Sequence, residues 1–95
     1  MKEAINIKKK HIQSGDQARL YSCPVALALR DIIEYRGSSV GVSVLNLGKD
    51  VVGHTEYTTS DDLQKWIAMF DVTGKGDPFT LMLDHTARTA EMLEA

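Results

Sequence analysis

The run Cys23-Pro24-Val25-Ala26-Leu27-Ala28-Leu29 constrains the fold more than any other stretch of the chain. Ser22 stands before it as a candidate N-cap, Pro24 falls in the first turn where its missing N–H goes unused, and a helical pattern continues to Tyr35. Gly37 follows as a stop, with Arg36 at the negative end of the dipole, so the spacing predicts a helix over Cys23–Arg36. Between Val25 and Leu29 this helix is apolar on every side, whereas a helix lying on a sheet needs only one apolar stripe. Its outer side therefore needs cover. A chain of 95 residues forms one domain, residues 1–95. Chains of this size bury only about 60 to 68% of their unfolded surface. The C-terminal helix or a second copy could supply the cover; a second copy is favoured, through an oligomer interface at Val25, Ala26, Ala28 and Leu29 in which the two alanines permit close approach.

The remaining elements follow from periodicity. Ala4 to Lys9 alternates, with Ile5 and Ile7 on one side and Asn6 and Lys8 on the other, as a half-buried strand does. His11 to Asp16 is polar, contains Gly15, and reads as a helical turn or loop. Val40, Val42 and Val44 share a phase that shifts at Leu45 and Leu47, which a bulge near Val44-Leu45 would reconcile. Gly48-Lys49-Asp50 supplies a turn and Val51 to Thr58 a third strand, making residues 39 to 58 a hairpin. Thr59 or Ser60 caps a second helix, with Asp61 and Asp62 at its positive end and Leu63, Trp66, Ile67 and Phe70 forming its apolar stripe. Gly74 to Pro78 ends that helix, Phe79 to Leu83 makes a fourth strand, and Thr86 to Leu93 a short C-terminal helix. The predicted class is α+β, in the order β-α-β-β-α-β, a mainly antiparallel sheet with two helices on one face.

Charge and cysteine usage narrow the chemistry. The net charge of −2 selects no polyanionic partner, but residues 1 to 48 carry 7 basic against 4 acidic groups and residues 49 to 95 carry 4 against 9. A lone Cys23 forms no intrachain disulfide, and the first residues lack the apolar core of a signal peptide, so a reducing cytoplasm is expected. The longest apolar run, Val25 to Leu29, is far short of the ~20 residues a membrane helix needs. At a helix start Cys23 could be a thiolate nucleophile, yet His11, His54 and His85 stand in no recognised spacing to it. The same four residues contain no zinc-site spacing, and no cofactor is expected. Asp71 to Met82 fails as a calcium loop, with Lys75 and Met82 where oxygen ligands belong. Gly74-Lys75-Gly76 lies after a helix and before a strand, the reverse of a phosphate-binding P-loop, although Lys75 could meet an anion. The basic run Lys8, Lys9 and Lys10, with His11 beyond it, is the other candidate anion site. No aromatic row interleaves with it, which argues against a single-strand binding platform.

Two blocks of the chain are similar to those of a known group. His11-Ile12-Gln13-Ser14-Gly15 with the CPVALAL string, and Trp66-Ile67-Ala68-Met69-Phe70-Asp71 before Pro78-Phe79-Thr80-Leu81-Met82-Leu83, resemble small hypothetical proteins of tailed bacteriophages and prophages. The resemblance implies a phage protein acting in the cytoplasm of an infected bacterium; it carries over no functional residue. Lacking a complete catalytic set, the chain is expected to be a non-enzymatic binding protein, oligomeric, that antagonises bacterial immunity by occluding a defence protein or sequestering a nucleotide signal. The alternative expectation, from the charge polarity, is a DNA-binding or DNA-mimicking regulator.

Overall fold

The computed structural model describes residues 1–49 and 53–93. It is a mixed α+β fold whose six strands form one sheet in the order β1-β5-β6-β4-β3-β2. In chain order the elements are β1 (Lys2–Ile7), α1 (Lys9–Ser14), α2 (Pro24–Arg30), a 3-10 turn (Ile33–Tyr35), β2 (Ser39–Val40), β3 (Val44–Lys49), β4 (Gly53–Thr59), α3 (Asp61–Thr73), β5 (Phe79–Asp84) and β6 (Thr89–Leu93). Every ladder is antiparallel except β4–β6, where Thr58 pairs with Thr89 and Thr59 with Ala90. Period-2 alternation places Ile5 and Ile7, Phe79, Leu81 and Leu83, Ala90, Tyr57, and Leu45 and Leu47 in the core. Register carries that face across the sheet, since Ile5 lies opposite Leu81, Leu83 opposite Ala90, and Leu45 opposite Tyr57. Buried side chains of α2 and α3 complete the same cluster.

Helix α3 forms as its signals direct. Ser60 Oγ accepts the Leu63 N–H at 3.3 Å, and Asp61 and Asp62 occupy the first turn. Gly74 closes the helix at φ +71°, a left-handed conformation that glycine adopts without a Cβ penalty, and its N–H donates to the Phe70 carbonyl at 2.7 Å. Leu63, Ile67 and Phe70 are buried along the stripe.

Helix α2 departs from the expectation at both ends. Its N-cap is Cys23 rather than Ser22, and it stops at Arg30 with Asp31 as C-cap, six residues short of Arg36. Ile32 is extended, with φ −97° and ψ 117°, and the chain re-forms only the short turn Ile33–Tyr35. The break is therefore at Ile32, since Asp31 keeps right-handed helical backbone with its N–H on the Leu27 carbonyl, and the Asp31 side chain reaches across to His11, 2.7 Å from its ring. The interface residues predicted from the sequence are likewise inside the monomer. Val25 and Leu29 are 0% exposed and Ala26 and Ala28 2% exposed, with α1, β1, β2 and the 3-10 turn packed around them. Of the two expected covers for this face, the chain itself supplies the one seen here, through α1, β1, β2 and the 3-10 turn rather than a C-terminal helix.

Four further expectations are corrected. Residues 39 to 47 are not one bulged strand: β2 and β3 are antiparallel partners, Val40 opposite Leu45, and the phase shift marks a chain reversal closed by the Gly41 N–H on the Val44 carbonyl at 2.9 Å. Thr86 to Leu93 is not a helix. Asp84 Oδ1 accepts the Thr86 and Ala87 N–H groups, both at 2.9 Å, which turns the chain so that Thr89–Leu93 returns beside β5 as β6. Pairing with β5 and β4, and full burial of Ala90, outweigh a local helix preference worth only tenths of a kcal/mol per residue. The first strand ends at Ile7, so Lys8 and Lys9 leave it, and the stretch from Lys9 to Ser14 is a full helix. Gly48 and Lys49, expected in a turn, belong to β3, and Asp50, Val51 and Val52 lie outside the described residues.

Candidate functional site

The basic run is split by its own capping chemistry. Lys8 is the N-cap of α1, and its N–H donates to His11 Nδ1 at 2.9 Å, so the imidazole does at the third helical position what Glu or Gln does in a capping box. With Nδ1 accepting, the ring proton sits on Nε2 and is donated to Asp31 Oδ2 at 2.7 Å. His11 is buried, whereas Lys8, Lys9 and Lys10 are exposed. His11 is therefore a structural residue that fixes α1 and presents the lysines, not a member of an anion site. Lys10 Nζ lies 3.5 Å from the same Asp31 oxygen, which occupies that lysine too.

This arrangement sets an acid limb of stability. The His11 hydrogen bond, followed by the charge of Lys10, holds the Asp31 carboxyl below its ordinary value of 3.8. A lowered folded-state pKa contributes stability that is present above the ordinary value and lost as pH falls through the folded one. Asp31→Asn is expected to weaken the chain at neutral pH and to converge with the parent in acid. Urea midpoints measured between about pH 2 and pH 6 check this; a constant gap between the two curves would refute it.

The structure does bring two of the sequence-predicted residues together. Lys9 at the start of α1 and Lys75 in the loop after α3 line one cleft of about 510 Å³ with Gln13, Gln17 and Asp77. Lys8 lines an adjoining shallow hollow with Asn6 and Thr80, and Lys9 borders both. The loop carrying Lys75 is held at both ends: the Lys75 N–H donates to Thr73 Oγ1 at 3.1 Å, and Trp66 Nε1–H donates to the Asp77 carbonyl at 3.0 Å. Gln17 is anchored in turn by its amide on the Asp71 carbonyl at 3.1 Å, which leaves its own oxygen as an acceptor.

A second cleft, of about 590 Å³, opens where β1, the 3-10 turn, β4 and the β5–β6 turn converge, four segments far apart in sequence. Tyr57 O–H donates to His85 Nδ1 at 2.6 Å, and His85 Nε2–H donates to Glu3 Oε1 at 2.9 Å. Tyr35 O–H reaches the same Glu3 oxygen at 2.6 Å. Hydroxyl, imidazole and carboxylate thus stand in the order of a nucleophile, its base and an orienting group. Burial, however, pushes both phenols up, Tyr57 further from ionisation rather than nearer to it. Both hydroxyls are held in hydrogen bonds, so the chain of bonds works as a rigid floor to the cleft. Arg88 stands above it with its guanidinium carbon 5.9 Å from the Tyr57 ring centre. Its backbone lies at φ +59°, a left-handed conformation that costs a non-glycine residue on the order of 1 kcal/mol.

Cys23 offers less than its place at a helix start promised. It is buried, and burial is the main cause that raises its thiol above the ordinary value of 9.0. A buried, protonated thiol is a packing residue. Among the described residues no three of His, Cys, Asp and Glu gather closely enough to hold a metal ion, and no helix is long and apolar enough to cross a membrane. His54 was named with His11 and His85 as a possible base; its side chain lies outside the described part of the structure. No family model, curated protein or solved structure matches the chain.

Proposed function

We propose that this chain is a non-enzymatic binding protein of phage origin that antagonises bacterial immunity in the infected cell by sequestering a nucleotide signal in the Lys9–Lys75 cleft. One observation carries the reading: two exposed lysines far apart in sequence face one cleft that also holds a carboxylate and two carboxamides. A nucleotide uses that mixture, with phosphate on the lysines, ribose hydroxyls on Asp77, and base-edge donors and acceptors on Gln13 and Gln17. The volume lies within the range of small-ligand sites. Phage origin rests on the resemblance carried by the CPVALAL and WIAMFD blocks. Should the unit be a homo-oligomer, its contact must use apolar side chains left outside the core, such as Met69 and Val72 on α3, rather than α2.

Calorimetric titration with mononucleotides and cyclic dinucleotides tests the proposal. The double variant Lys9→Glu, Lys75→Glu is expected to bind roughly tenfold to a hundredfold more weakly, and the parent affinity to fall with salt. Exposed substitutions of this kind change stability by no more than about 0.5 kcal/mol, so melting should be unaltered. Failure of every nucleotide to bind the parent, or equal binding by the variant, would remove this function.

A further inference from the structure

The second cleft is separate from the Lys9–Lys75 site and carries both signs of charge without neutralising them. Glu3 Oε1 takes the hydrogen bonds of Tyr35 and His85, while among the described residues Oε2 has no partner. Glu34 lines the same cleft and is exposed. On the other wall Arg88 donates its Nε–H to the His85 carbonyl at 3.1 Å, and its terminal nitrogens bond to nothing among the described residues. No ion pair joins Arg88 to either glutamate among those residues. Lys2 also borders the cleft, opposite Asp84 in the β1–β5 ladder, as does the Met1 ammonium, which donates to Thr86 Oγ1 at 3.1 Å.

We infer that this cleft binds a small zwitterion of the amino-acid class, with its carboxylate on Arg88 and its ammonium on Glu3 and Glu34. A ligand with only negative charge would meet the two glutamates, and one with only positive charge would meet Arg88; a ligand bearing both satisfies each wall. The floor is built to receive it. Tyr57 is 3% exposed and its hydroxyl lies 2.6 Å from His85 Nδ1, which fixes the ring beneath the cleft. Glu3 is fixed by two donors at one oxygen, which aims the other without further ordering on binding. Arg88 supplies the independent observation. The turn would be relaxed with glycine at its left-handed position, yet an arginine is held there, and the strain puts a planar two-pronged donor over the Tyr57 ring.

The test uses the full chain and a panel of free L-amino acids, followed by N-acetylated and carboxamide forms of the same compounds, read by calorimetry and by amide resonances of residues 85 to 88. Binding of free amino acids, lost when either end is blocked, supports the site. Arg88→Gly is expected to melt no lower than the parent and to bind roughly tenfold to a hundredfold more weakly. Glu3→Gln keeps an oxygen for Tyr35 and His85 while removing the charge, so it tests the ammonium subsite even if the Arg88 variant should lose its fold. Absence of any amino-acid binding, equal binding of blocked compounds, or unchanged affinity in Glu3→Gln and Arg88→Gly would overturn the inference. The nucleotide titration reads a different cleft, so either result stands without the other.

Discussion

Leu29→Ala is expected to destabilise the chain by about 2–5 kcal/mol, and the parent to unfold at the same urea midpoint at every protein concentration. Leu29 is fully buried, and its neighbours α1, β1, β2 and the 3-10 turn belong to the same chain. Truncation removes the transfer energy of its methyl groups and leaves a cavity that a helix packed on all sides cannot collapse to fill. The concentration series separates this from an interface role. A fold completed by a second copy would gain about 2.7 kcal/mol over a roughly 100-fold rise in concentration, whereas a self-contained core gains nothing. A midpoint that climbs with concentration would show that the fold draws stability from a second copy.

Gly48→Ala is expected to cost more than about 3 kcal/mol, while Gly37→Ala stays close to the parent. A Cβ on Gly48 would lie 2.5 Å from the Gly37 carbonyl carbon and 2.6 Å from its oxygen. Both obstacles are backbone, and neither strand of the contact can yield. The Gly48 N–H is bonded to buried Ser38 Oγ at 3.0 Å, and the Ser38 N–H to the Tyr35 carbonyl at 3.1 Å. A Cβ on Gly37 meets only the Gly48 Cα at 4.0 Å, an ordinary contact. The pair thus has opposite tolerance at one crossing point. Thermal melts of the two single variants decide it, and equal stability would show that the chains do not approach as described.

Those two glycines also show where sequence reading loses its grip. Gly37 reads as a helix stop and Gly48 as a turn residue, both local roles, but their contact with each other depends on how the 3-10 turn settles against β3. Lys9 and Lys75 are legible as exposed cations, and their shared cleft is not, because α1 and the loop after α3 meet only in the folded chain. His11 looks like part of a basic patch until Lys8 and Asp31 engage its two nitrogens. Glu3, Tyr35, Tyr57 and Arg88 escape notice altogether. Each is an ordinary residue where it stands, and their register is set by four different elements.

Local chemistry settles α3 and β5 and the inward face of β1, though not where β1 ends: strict alternation at Ile5 and Ile7 and at Phe79, Leu81 and Leu83, a serine cap at Ser60, an apolar stripe, and Gly74 as stop. These signals act within one or two turns of chain, so they hold whatever surrounds them. Long-range pairing settles the rest. Residues 89 to 93 become β6 because β5 and β4 offer ladders whose bonds outweigh a weak helical preference, and Asp31, just past the end of α2, is held by His11 from twenty residues upstream. The second cleft exists for the same reason: its bonds join residues 28, 32 and 82 positions apart, a separation over which no local pattern in the chain extends.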